Sequence, residues 1–279
     1  MLDLNIEASG SKCWDDRVAI LLSICGVAVA GVFALPPMPQ NPAYHRFADT
    51  TTVLGIPNGL NVLSNLAFVL VGGWGLGQVW RYRKAIGAVT APLLFYAGIV
   101  LTGFGSGYYH LAPRNETLLW DRLPMALAFM AFLILLIGDY ISTAWGRRLL
   151  LPFLAAGLGS VWYWHVTEQQ GYGDLRPYLL VQFLPMLIIP LILLLYPVKA
   201  GRTGKNLWPV LGFYVLAKIA ENWDAVIYAD TGGWCSGHTL KHLLAATGSA
   251  WVVKYLHRPG GNVAAEKNLY KPIDCGGLG

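Results

Sequence analysis

Residues 177–196, PYLLVQFLPMLIIPLILLLY, run for 20 residues without a charge. A helix rises about 1.5 Å per residue, so this stretch alone crosses the roughly 30 Å hydrocarbon layer of a bilayer. Working outward, seven further stretches have comparable length and apolarity: roughly 17–35, 60–80, 89–109, 119–139, 149–168, 207–229 and 237–256. The second and third are rich in glycine, and the one at 207–229 carries Lys218, Glu221 and Asp224. None alternates with period two, so the expectation is helices and not a barrel. The whole 279-residue chain is 55% apolar and only 13% charged, with a mean hydropathy of +0.49. Soluble domains carry about twice that share of charge. The composition excludes a soluble enzyme and a disordered chain. The net charge of +5 sits in short clusters between apolar runs, which excludes a nucleic-acid binder with its basic stripe. Cys13, Cys25, Cys235 and Cys275 form no CxxC pair, so no disulfide framework or redox motif is indicated. After the first stretch come Pro36, Pro37 and Pro39 in a polar loop, which marks a retained helix and not a removed signal peptide. No internal repeat is visible. The predicted fold is an all-α polytopic membrane helix bundle.

Loop charge orients the bundle. Arg81, Arg83 and Lys84 follow span two, Arg147 and Arg148 span four, and Lys199, Arg202 and Lys205 span six. The C-terminal tail adds Lys254, Arg258, Lys267 and Lys271, whereas the opposite loops hold only Arg46, Arg114 and Arg176, with Arg122 at a helix mouth. The positive-inside rule then puts both termini in the cytoplasm, as an even number of spans requires.

Polar groups inside a bilayer are costly unless paired, solvated or bound to metal. With alternating span directions, Ser64, Asn65, Ser106, His110, Asp121, Glu221, Asp224, His238 and His242 all fall near the outer face. Ser106-Gly-Tyr-Tyr-His110 and His238-Thr-Leu-Lys-His242 are i, i+4 pairs, which a helix places on one side with Cβ atoms about 5–6 Å apart. Two imidazoles so placed can share one zinc, and a third from a facing helix completes a set that leaves one position for water. Asp121 can move a proton, and Ser106 can hold the water or a developing oxyanion. Gly103, Gly105 and Gly107 let helix backbones approach around Ser106. Structural readings stand beside these. Ser106 suits helix packing, and Asp121 suits a dipole partner for its helix start or a salt bridge to Arg122. Lys218 and Glu221 suit an intramembrane ion pair, and His165 within Trp162-Tyr163-Trp164-His165 suits an aromatic belt. His45 and His257 are loop residues, and Cys235 is a further possible zinc ligand beside three histidines that already suffice.

The ordered set Ser106-x-x-x-His110, Asp121-Arg122-Leu123-Pro124-Met125 and His238-x-x-x-His242 resembles the alkaline ceramidases, part of a membrane-hydrolase superfamily that includes the adiponectin receptors. Asn61-Val62-Leu63-Ser64-Asn65-Leu66, Asp224 and Gly248-Ser249 add to the resemblance, which covers about residues 58 to 256. It implies a seven-helix core over 58–256, preceded by an N-terminal tail, extra helix and loop over 1–57 and followed by a cytoplasmic tail over 257–279. It further implies Zn²⁺ on His110, His238 and His242, with Ser106 and Asp121 as the catalytic pair. Asn58 stands where the eukaryotic members have a calcium-site Glu, and Arg122 where an acidic residue usually follows the Asp. The expected activity is zinc-dependent hydrolysis of a lipid amide, ceramide-like, yielding a fatty acid and a long-chain amine. The partners expected are a membrane lipid substrate and the bilayer, in a bacterial inner membrane. The alternative is a lipid receptor or sensor with a structural zinc, and a haem carrier or transporter stands behind it.

Overall fold

The computed structural model describes residues 16–197 and 207–257. Cys13 and Cys275, the loop residues Lys199, Arg202 and Lys205, and the tail residues Arg258, Lys267 and Lys271 lie outside this range. Among the described residues the chain is helical, with no strand beyond an isolated Val53–Ile56 bridge in a loop. Eight principal helices match the eight predicted stretches: α1 (Asp16–Ala34), α2 (Gly59–Arg81), α3 (Thr90–Leu111), α4 (Asn115–Ile141), α5 (Thr143–Gln169), α6 (Arg176–Leu195), α7 (Trp208–Asn222) and α8 (Gly237–Leu256). A short helix, Asp224–Asp230, follows α7 after a break at Trp223.

Six of these, α1 to α6, are long and apolar enough to cross a membrane, so the protein is a membrane protein. The remaining two predicted stretches are the helices α7 and α8. The break at Trp223 leaves α7 short, and the first turns of α8 carry His238, Lys241 and His242. Both helices carry ionisable side chains of the site, beside His110 of α3 and Asp121 of α4.

Helix α4 is the most buried of the six and packs against α3, α5 and α6, while α8 packs against α7 and α2, and α1 runs along α6. Lipid is as apolar as a leucine side chain, so close backbone fit rather than the hydrophobic effect holds such helices together. Two glycines show this. Pro124 inside α4 has no N–H for the Trp120 carbonyl one turn earlier. A Cβ at Gly105 would lie 2.0 Å from that oxygen, so only glycine lets α3 and α4 meet there. At the start of α8, a Cβ at Gly237 would lie 2.1 Å from the Ala220 carbonyl of α7. Gly103 likewise lies against Val69 of α2, but nothing lies within 4 Å of a Cβ at Gly107, which corrects the expectation that all three glycines serve helix approach.

Candidate active site

The two close contacts bring the ends of α3, α4, α7 and α8 together at one end of the bundle, and the three histidines meet there. The His110, His238 and His242 rings form a near-equilateral triangle, with centroids 4.8, 5.0 and 4.9 Å apart. All three side chains are buried, and one ligand nitrogen from each lies within 4.8 Å of the others. His110 Nε2 and His238 Nε2 stand 3.2 Å apart. Three nitrogens on a tetrahedral ion at about 2.0–2.1 Å would stand roughly 3.3–3.4 Å apart.

Local hydrogen bonds fix how the rings present themselves. Ser64 Oγ donates to the Asn61 carbonyl at 3.1 Å and lies 2.8 Å from His242 Nδ1. With its own hydrogen committed, the serine oxygen accepts from Nδ1–H, which leaves the Nε2 lone pair of His242 facing the triangle. Asn61 also accepts at Oδ1 from Thr239 at 3.0 Å and donates at Nδ2 to the Asp49 carbonyl at 3.0 Å, tying α2 to α8 and to the preceding loop. Asp224 accepts from the His238 backbone N–H at 2.7 Å through one oxygen and from the Ala48 N–H at 2.9 Å through the other. Asn58, in a left-handed conformation at φ 50° that asparagine tolerates, donates to the His110 carbonyl at 2.9 Å. This position therefore offers an amide and not a carboxylate. At 3.2 Å the His110 and His238 Nε2 atoms either share one proton or both turn lone pairs to a common cation, and the three imidazoles fit a divalent metal with an affinity for nitrogen ligands.

Ser106 and Asp121 line the same cavity as His242, on its α3–α4 side. The dipole reading of Asp121 is corrected, because α4 begins at Asn115 and Glu116 occupies its first turn. The salt-bridge reading is corrected too. Adjacent helical residues point about 100° apart, and Arg122 turns away from Asp121. Its guanidinium lies 4.3 Å from the Trp164 ring centre, 4.8 Å from Tyr178 and 5.5 Å from Tyr44, and donates to Gln40 Oε1 at 2.7 Å. Aromatic faces and one amide thus stand in for a carboxylate around this buried cation. The cavity, about 160 Å³, leads from the polar end into an apolar interior walled by Phe68, Phe95, Phe129, Phe132 and Met186.

Sequence reasoning missed the segment before α2. Phe47 lies edge-on to His110 and His238, with ring centroids at 4.7 and 4.5 Å, and covers two of the three imidazoles. His45, set aside as a loop residue, hydrogen-bonds Tyr109 through Nδ1 and Asn115 through Nε2, both at 2.9 Å. The Gln40 backbone N–H donates to Glu168, and the Leu175 N–H donates to the Met38 carbonyl at 2.8 Å. The available signal was length, since a connection of over 20 residues inside a compact bundle is commonly a functional loop. His165 stays among Trp162 and Trp164, away from the triad, and Cys235 is free and outside the histidine group. The predicted Lys218–Glu221 pair is present at 2.6 Å, and Lys241 joins it at 2.8 Å.

A comparison with curated proteins finds no match. The sequence model of one family, Ceramidase, matches residues 56–258, a range that begins at the edge of the loop over the triad and takes in every residue of the triangle, Ser106 and Asp121. With most of the chain matched and the paired histidines in one cluster, this chain belongs to the ceramidase family.

Proposed function

We propose that the protein is a zinc-dependent amidase of the membrane that hydrolyses N-acyl lipids of the ceramide type. The observation that carries this reading is the convergence of three buried imidazoles at the polar end of an otherwise apolar cavity, with Ser106 and Asp121 on its wall. His110, His238 and His242 would hold a Zn²⁺, which would supply Lewis acidity and lower the pKa of water to about 7. The apolar cavity holds the acyl chain and directs the amide carbonyl to the triad. The Asp121 carboxylate takes a proton from the attacking water and returns it to the amine as the C–N bond breaks. The Ser106 hydroxyl donates to the carbonyl oxygen as it gains charge. Ser64 and Asp224 hold His242 and His238 in place, and Phe47 keeps bulk water from the edges of His110 and His238. The products are a fatty acid and a long-chain amine. The loop charge supports placing both termini in the cytoplasm and this chemistry near the outer face.

The test is fatty-acid release from N-acyl lipids by purified protein in nanodiscs, with and without chelator. Turnover lost to chelator, regained with zinc, and abolished in a His238→Ala/His242→Ala variant is the expected result. Undiminished turnover in that variant refutes the proposal. Intact N-acyl lipid persisting on zinc-loaded protein would favour a receptor.

A further inference from the structure

Partway down the cavity, the apolar wall is broken by two neutral polar groups that the proposed hydrolysis does not use. Gln182 of α6, 8% exposed, and Tyr214 of α7 both line the cavity. Their neighbours along it are apolar: Phe129 of α4 lies edge-on to the Tyr214 ring at 6.1 Å, Leu211 is a turn away on α7, and Met186 is a turn away on α6. The Tyr214 hydroxyl is buried without a hydrogen-bond partner among the described residues, and the Gln182 amide lies beside it without closing a bond of ordinary geometry. Between them, the amide and the phenol offer three hydrogen-bond donors and two acceptor oxygens. A bolt between α6 and α7 would spend these on each other. A plain alkyl chain in the cavity leaves them facing hydrocarbon, which is costly in a low-dielectric interior. Both groups are neutral, and at the polar end Lys218 and Lys241 are matched by as many carboxylates, Glu221 and Asp121. The wall therefore calls for a neutral hydrogen-bonding group and not for an ion.

We propose that Gln182 and Tyr214 form a subsite for a hydroxyl carried partway along the acyl chain, so that the preferred substrates are N-(hydroxyacyl) lipids of the ceramide type. This rests on the amidase reading and narrows the substrate class of the same site. A chain hydroxyl both accepts and donates, so one group can take an N–H of Gln182 and serve Tyr214 as well. Its depth follows from helix geometry. Lys241 ties Glu221 to the turn of α8 that carries His242, so Glu221 marks the level of the triad. Tyr214 stands seven positions before Glu221 on α7, about 10 Å deeper. An extended chain of C–C bonds near 1.5 Å advances about 1.25 Å per carbon, which puts the pair about eight carbons beyond the carbonyl.

The experiment compares N-palmitoyl sphinganine with its 3-, 9- and 15-hydroxypalmitoyl analogues on zinc-loaded full-length protein in nanodiscs. The 9-hydroxy amide should show a KM about three- to tenfold lower than the unsubstituted one, the scale of one hydrogen bond, and the 3- and 15-hydroxy amides should show no such gain. Tyr214→Phe and Gln182→Leu should each bring the 9-hydroxy ratio toward one while turnover of the unsubstituted amide persists. A gain confined to the 3- or 15-hydroxy amide, or a 9-hydroxy gain that survives in both variants, overturns the subsite. Turnover of all four amides at equal KM keeps the amidase and overturns the subsite. Calorimetry separates the opposite case: tighter binding of the 9-hydroxy amide that is lost in Tyr214→Phe, without turnover of any amide, keeps the subsite and overturns the amidase.

Discussion

Replacing Ser64 with alanine removes a single oxygen whose only acceptor role is toward a buried imidazole. His242 is 2% exposed, and its Nδ1 has Ser64 Oγ at 2.8 Å as its hydrogen-bond partner. Losing that acceptor leaves a buried N–H unpaired, which costs about 1–3 kcal/mol. It also frees the ring to adopt the other tautomer, with its proton on the nitrogen that faces His110 and His238. Removing a group that orients a metal-bound histidine lowers affinity by roughly 10–100-fold, or about 1.4–2.7 kcal/mol. The two estimates, one from desolvation and one from metal sites, fall in the same range. Ser64→Ala is thus expected to weaken zinc binding 10–100-fold in a chelator competition on protein in nanodiscs, while Ser64→Thr, which keeps a hydroxyl, recovers most of it. A thermal melt of the apo protein separates this from unfolding. Zinc affinity within twofold of wild type in a folded Ser64→Ala variant would refute the assignment of Nε2 as the ligand atom of His242.

Gly105→Ala places a methyl 2.0 Å from the Trp120 carbonyl and should destabilise the bundle by about 1–3 kcal/mol or more in a thermal melt, whereas Gly107→Ala, with nothing within 4 Å, should be neutral or stabilising by up to about 1 kcal/mol. Phe47→Ala uncovers His110 and His238; zinc loss to a chelator should speed up, and stability should fall by about 3–5 kcal/mol if the loop does not collapse onto the gap. In the loop between α5 and α6, the Arg176 guanidinium at 2.8 Å holds the Asp174 carboxyl below the usual carboxylate range. A depressed folded pKa contributes stability above the unfolded value of about 3.9 and loses it as the pH falls through the folded one. The stability gap between wild type and Asp174→Asn should therefore be constant near neutral pH and shrink below about pH 4; a gap that widens on acidification contradicts this.

Much of the site was legible because its signals are local. A 20-residue apolar run announces a span wherever it packs, and HxxxH announces two imidazoles on one side of a helix before any partner is known. The alternation of span direction then brings His110 to the same end as His238 and His242. Arg122 was misread for the opposite reason. Its neighbour in sequence is an acid, but its neighbours in space are three aromatic rings from the first loop, α5 and α6. Gly107 was misread because spacing alone does not show which side of α3 faces a helix and which faces open space. Phe47 and His45 carried no signal beyond the length of their loop.

The amino-acid order alone determined that this is a helical membrane protein, where its helices run, and which rare polar residues cluster at one end, since length, apolarity and i, i+4 spacing belong to each segment separately. Tertiary structure alone decided that Ser64 sets the ring of His242, that Glu221 is shared by two lysines, and that a loop phenylalanine covers His110 and His238. These contacts join residues as far apart as 178 positions, and their existence depends on distances of a few ångströms that only the packed bundle sets.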